Sequence, residues 1–125
     1  MTQTETLLER FTAAIGQKLQ EVSGVPDTYH ERSRAAGFPR IIYTVTVWTG
    51  GNALRGTLTC TVSGNTRPSE VDHIASILLE ELEGFSCCTD DMTYYLHDCR
   101  IAPSEDADKS VFLRIFTSEF LVMGG

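Results

Sequence analysis

The run Ser110-Val111-Phe112-Leu113-Arg114-Ile115-Phe116-Thr117-Ser118-Glu119-Phe120-Leu121-Val122-Met123 decides how this chain folds. It predicts a single strand of about fourteen residues, long against the usual five or six. Side chains alternate across a strand, and here both faces carry large apolar groups. Val111, Leu113 and Ile115 share one face; Phe112, Phe116 and Phe120 share the other. A layer of helices covers one face of a sheet. The second face of this strand therefore calls for cover from another subunit.

Upstream, Arg40 to Trp48 is rich in β-branched and aromatic residues and predicts a strand. Ile41, Tyr43, Val45 and Val47 fall on one side of it, and Ile42, Thr44, Thr46 and Trp48 on the other. Gly50-Gly51-Asn52 supplies a turn into a second strand over about 54–62, which closes a hairpin. A further strand is expected over about 93–101, after a linker through Cys87-Cys88 and the turn residues Asp90-Asp91. Ala102 to Lys109 reads as an acidic turn.

Two helices complete the chain. Leu8, Phe11, Ile15, Leu19 and Val22 form one stripe over about 4–22, with Thr2 and Glu5 as a capping box and Ser23-Gly24 then Pro26 as the stop. Val71, Ile74, Ala75, Leu78, Leu79 and Leu82 form a broad apolar face over about 68–83, opened by Pro68 and closed by Gly84. A charged connector from Val25 to Pro39 leaves room for a short extended piece around Thr28–Glu31. The order α-β-β-α-β-β implies a two-layer α+β domain, a mainly antiparallel sheet with both helices on one face.

The whole chain of 125 residues fits one domain. Its folded surface should be roughly 6,600 Å² against roughly 20,000 Å² unfolded, enough burial for a core without staples. At 42% hydrophobic and 22% charged residues it is neither disordered nor collagen-like. No apolar run approaches the ~18 residues of a membrane span. Met1 to Arg10 lacks a basic start followed by an apolar stretch, so no signal peptide is expected. Net charge is −7 and unevenly placed: residues 1–67 carry +2 and residues 68–125 carry −9. Without a basic face, specific nucleic-acid binding is not expected. The split reads first as two differently solvated surfaces, with a head-to-tail contact between copies as the alternative it allows.

Candidate chemistry is sparse. Cys60, Cys87, Cys88 and Cys99 form no C-x-x-C pair, which predicts reduced thiols. His97 and Cys99, two apart on a strand, should share a face with Asp98 pointing away, the nearest thing to a nucleophilic site. Zinc held by Cys87, Cys88, Cys99 and His97 would require adjacent cysteines in tetrahedral geometry. The acidic groups at 80–83 and 90–91 lack a Ca²⁺-binding loop pattern. The expectation is no catalytic residue, no metal and no cofactor.

The layout carries a resemblance. A leading amphipathic helix, a charged connector, Phe38-Pro39-Arg40-Ile41-Ile42-Tyr43, a hairpin, a helix starting Pro68-Ser69-Glu70 and the closing Phe112-Leu113-Arg114-Ile115-Phe116 follow in that order. Over roughly residues 5–123 this resembles the small tail-terminator (tail completion) proteins of long-tailed bacteriophages and prophages. The resemblance implies a virion structural protein, assembled in the bacterial host cytoplasm. It would form a hexameric ring that caps the tail tube and meets the head connector, with no active site or cofactor. Arg32, Arg34, Arg40, Phe112, Arg114, Phe116 and Phe120 are the expected subunit-interface residues. The competing expectation is a small α+β binding module for a peptide or metabolite; a small enzyme using Cys99 and His97 comes third.

Overall fold

The structure, a computed structural model, describes residues 6–31, 37–49, 53–106 and 108–124. Helix α1 runs Leu7–Ser23, so its start lies later than the capping-box reading placed it; Thr2 and Glu5 fall outside the described residues. The cap is the equivalent pair one turn on: the Glu9 amide donates to Thr6 Oγ1 at 3.1 Å, and that hydroxyl donates to Glu9 Oε1 at 3.0 Å. Gly24, at φ 70°, ends the helix in the left-handed conformation that glycine adopts without steric cost.

Strand β1 (Thr28–His30) follows and lies parallel to β2 (Arg40–Thr49). Strand β3 (Ala53–Gly64), helix α2 (Pro68–Leu82), β4 (Ser86–Cys88), β5 (Met92–Glu105) and β6 (Phe112–Gly124) complete the order. The sheet has six strands arranged β1-β2-β3-β6-β5-β4, every neighbouring pair antiparallel except β1 with β2.

The α+β class is as expected, and the element order is corrected by two strands. The extended piece at 28–30 pairs as an edge strand, and the linker at 86–88 forms the other edge. Three residues are too few to show a period, so only the neighbouring strand reveals them. Strand β5 also runs beyond its expected end. Ala102, Ser104 and Glu105 pair with Ile115, Leu113 and Phe112, because the β6 ladder extends past the apolar stretch that marked the strand in sequence. The remaining turn is tied by Asp108 Oδ1, which accepts from the Ser110 amide at 2.9 Å and its hydroxyl at 2.7 Å. Those bonds hold the Asp108 carboxyl below its ordinary value.

One core lies between the sheet and the helices. Phe11, Ile15 and Leu19 of α1 and Val71, Ile74, Leu78 and Leu82 of α2 meet the inward residues of β2, β3, β5 and β6. The inward set on β6 is Phe116, Ser118, Phe120 and Val122, all buried. Phe120 packs on Phe11 with ring centroids 4.7 Å apart, and Tyr94 meets Phe11 edge-on at 5.4 Å. Tyr43 reaches from β2 to donate its hydroxyl to the Thr12 carbonyl, tying sheet to α1.

Candidate functional site: the uncovered sheet face

Both helices pack on the face that Phe116 and Phe120 occupy, so no described element of the chain covers the other face. Register orders that face into rows across β2, β3, β6 and β5. Thr46, Thr57, Glu119 and His97 make one row; Thr44, Thr59, Thr117 and Arg100 the next. Ile42, Thr61, Ile115 and Ala102 follow, and Tyr29 of β1 extends that row beside Ile42. At the other end Arg55, Leu121 and Tyr95 align, with Trp48 beside them.

Trp48 owes its position to a bulge. Val47 pairs with Gly56 and Thr49 with Arg55, so Trp48 is the extra residue between them and stands 58% exposed. Of the five exposed large hydrophobic residues among those described, Tyr29, Trp48, Tyr95 and Met123 lie on this face; Leu8 lies on α1. An uncovered face holding Trp, Tyr and Arg has the composition of a protein-contact surface.

A second bulge, on β5, changes the chemistry expected there. Register breaks between His97 and Arg100, and Asp98 takes φ 52°. His97 therefore stays on the uncovered face, while Cys99 turns inward and donates its thiol to Ser118 Oγ at 3.3 Å. The sequence expectation that His97 and Cys99 share a face with Asp98 opposed is overturned. Period-two alternation fails wherever one strand carries an extra residue. Instead His97 Nδ1 lies 3.0 Å from Asp98 Oδ2 and 3.7 Å from Glu119 Oε2, and its ring stacks on Tyr95 at 5.3 Å.

The two carboxyls share a hydrogen bond, which holds Asp98 below its ordinary value and pushes Glu119 above it. The donors of His97, Asp98 and Glu119 all lie within 4.8 Å of one another, a set of one nitrogen and two oxygens. The zinc set of Cys87, Cys88, Cys99 and His97 is not gathered among the described residues. A cavity of about 590 Å³ opens over the cluster, lined by Trp48, Arg55, Glu83, Tyr95 and Leu121 among others.

The expected interface residues separate sharply. Phe116 is 0% exposed and Phe120 1%, so both are corrected from interface to monomer core. A strand's two apolar faces look alike in sequence; the helices choose between them, and they take the phenylalanine face. Phe112 is half-buried against the same core. Arg114, on the helix side, is bound to Asp72 of α2 at 2.6 Å and is a link between layers. Arg40 starts β2 with its guanidinium over the Phe38 ring, 4.4 Å from the centroid. Arg32 and Arg34 lie outside the described residues. Sequence reasoning missed Trp48, Tyr95, Leu121 and Met123 as the uncovered apolar group. The doubly apolar β6 was the signal that pointed to it.

The cysteines give a direct check on this arrangement. Burial pushes the Cys99 thiol up to about 12 and the fully buried Cys60 higher still. Only the thiolate reacts. Iodoacetamide at pH 8 is expected to label exposed Cys88 first and to leave Cys60 and Cys99 unmodified until the protein is denatured, as peptide mass mapping would read. Rapid native labelling of Cys99 would place it outside the core.

No helix among the described residues is long and apolar enough to cross a membrane. Compared with known proteins, the chain matches no family model and no curated protein.

Proposed function

We propose that this protein is a virion assembly subunit of the tail-terminator kind, forming a ring that caps a phage tail tube and joins it to the head connector. The observation that carries the reading is the uncovered sheet face. It presents Trp48, Tyr95, Leu121 and Met123 around Arg55, a group that a self-sufficient monomer would bury or replace with polar residues. The layout resemblance supplies the kind of assembly. Light scattering over a wide concentration range, with negative-stain images, is expected to show closed rings. A monomer at every concentration, alone and with cognate tail tubes, would overturn the reading. Trp48→Asp, at an exposed position, is expected to leave the circular dichroism spectrum unchanged while abolishing co-sedimentation with those tubes.

The cavity over His97 supports a second reading, a binding module for a peptide or metabolite. Trp48 is the chain's single tryptophan and lines that cavity, so its fluorescence reports any occupant. A saturable shift with a small ligand in a protein that stays monomeric would favour the module over the ring.

A further inference from the structure

Two bulges flank the cavity of about 590 Å³ on the uncovered face. On β2 the extra residue is Trp48; on β5 the register breaks between His97 and Arg100, with Asp98 at φ 52°. Bulges re-aim side chains and are frequent beside binding sites. Strands β2 and β5 are separated by β3 and β6, so each bulge sends a side chain to the cavity from its own side.

The lining is of two kinds. One is aromatic: Trp48 is 58% exposed and Tyr95 42%, and the Tyr95 and His97 rings lie 17° from parallel, making a flat shelf. The other is acidic: Glu83, Asp98 and Glu119, set against the guanidinium of Arg55. Glu83 is held in place by accepting the Cys99 amide at 3.0 Å. Asp98 and Glu119 share a hydrogen bond and have His97 as common neighbour. Among the described residues, no Lys or Arg forms an ion pair with any of these three carboxyls. Arg100, one row away beside Thr117, attracts Asp98 and Glu119 only through its longer-range field.

Flat aromatic surface next to carboxyls without a cationic partner matches one ligand chemistry. A guanidinium is planar, stacks on aromatic rings and offers paired donors to carboxylates. An ammonium has no plane to stack, and an anion would meet three carboxyls. A free amino acid would bring its own carboxylate, whereas a residue inside a peptide would not. We propose that the cavity binds an arginine side chain presented by a peptide segment of a partner protein, with the guanidinium on the Trp48 and Tyr95 rings and its donors on Asp98 and Glu119. This inference rests on the second reading above, that the cavity is a binding site, and names what it takes.

Trp48 emission measures it. The probes are a blocked glycine–arginine–glycine tripeptide and its counterparts with citrulline, lysine or glutamate at the centre. Citrulline keeps the shape of arginine and loses the charge. The arginine peptide is expected to give a saturable shift, the citrulline peptide to bind about tenfold or more weaker, and the lysine peptide about threefold weaker. The glutamate peptide is expected to give none. Asp98→Asn with Glu119→Gln is expected to weaken arginine-peptide binding about tenfold or more with an unchanged circular dichroism spectrum, since asparagine tolerates the positive φ. Arg55→Gln removes a like charge and is expected to tighten binding about twofold, a gain that loss of structure cannot mimic. Citrulline or lysine binding as well as arginine, wild-type affinity in the double variant, or weaker binding in Arg55→Gln would each overturn the arginine assignment while the module reading stands. If no peptide of the set shifts the emission, the inference falls, and the peptide half of that reading falls with it.

Discussion

Replacing Phe120 by Ala is expected to remove about 3–5 kcal/mol of folding stability, the cost of deleting a fully buried aromatic and leaving its cavity. Phe120 is 1% exposed and stacks on Phe11 from α1 at 4.7 Å, so the loss strikes sheet and helix together. Against a total stability of about 5–15 kcal/mol that is a large fraction. The melting temperature should fall by on the order of 10–20 °C. Trp48→Ala, on the opposite face at 58% exposure, is expected to change stability by no more than about 0.5 kcal/mol. Urea unfolding of the two variants side by side separates the faces. Equal losses would mean that the helices do not choose the phenylalanine face.

The second large effect is expected at Gly56. It lies in β3 between Val47 of β2 and Phe120 of β6. A Cβ there would collide with the Thr46 carbonyl and come within 2.9 Å of the Phe120 ring. The first obstacle is backbone of the paired strand, which no rotamer change relieves. Glycine inside a strand marks such a close approach. Gly56→Val is expected to cost about 3 kcal/mol or more, at the upper end of overpacking effects. Its urea midpoint is the measurement, and a value close to wild type would show that β2 and β3 part cheaply beside the Trp48 bulge.

The two predictions meet at the same place. Gly56 lets β2 approach β3 where the bulge throws Trp48 outward, and Phe120 fills the space beneath. The uncovered face and the core are thus two sides of one local solution. Substitutions on the core side act on stability, and substitutions on the outer side act on contacts with other molecules.

The main elements were readable from periodicity. The apolar stripes of α1 and α2, the alternation of β2 and β3, and the glycine after each helix are local signals that need no tertiary context. The unusual length of β6 and its two apolar faces were also plain, and they pointed correctly to a face without cover. Which face that would be was not readable. Phe112, Phe116 and Phe120 on one side and Leu113 and Ile115 on the other are equally apolar, so only the docking of α1 and α2 decides. The edge strands β1 and β4 were too short for a period and exist through pairing with longer neighbours. The bulges at Trp48 and at Asp98 were likewise invisible, because an extra residue is defined against the partner strand. The local chain therefore set the main helices and long strands, their apolar alternation and the charge split. Tertiary packing decided which aromatic residues became core and gathered His97, Asp98 and Glu119. Those outcomes depend on register and on which surfaces helices cover, and both are properties of paired elements.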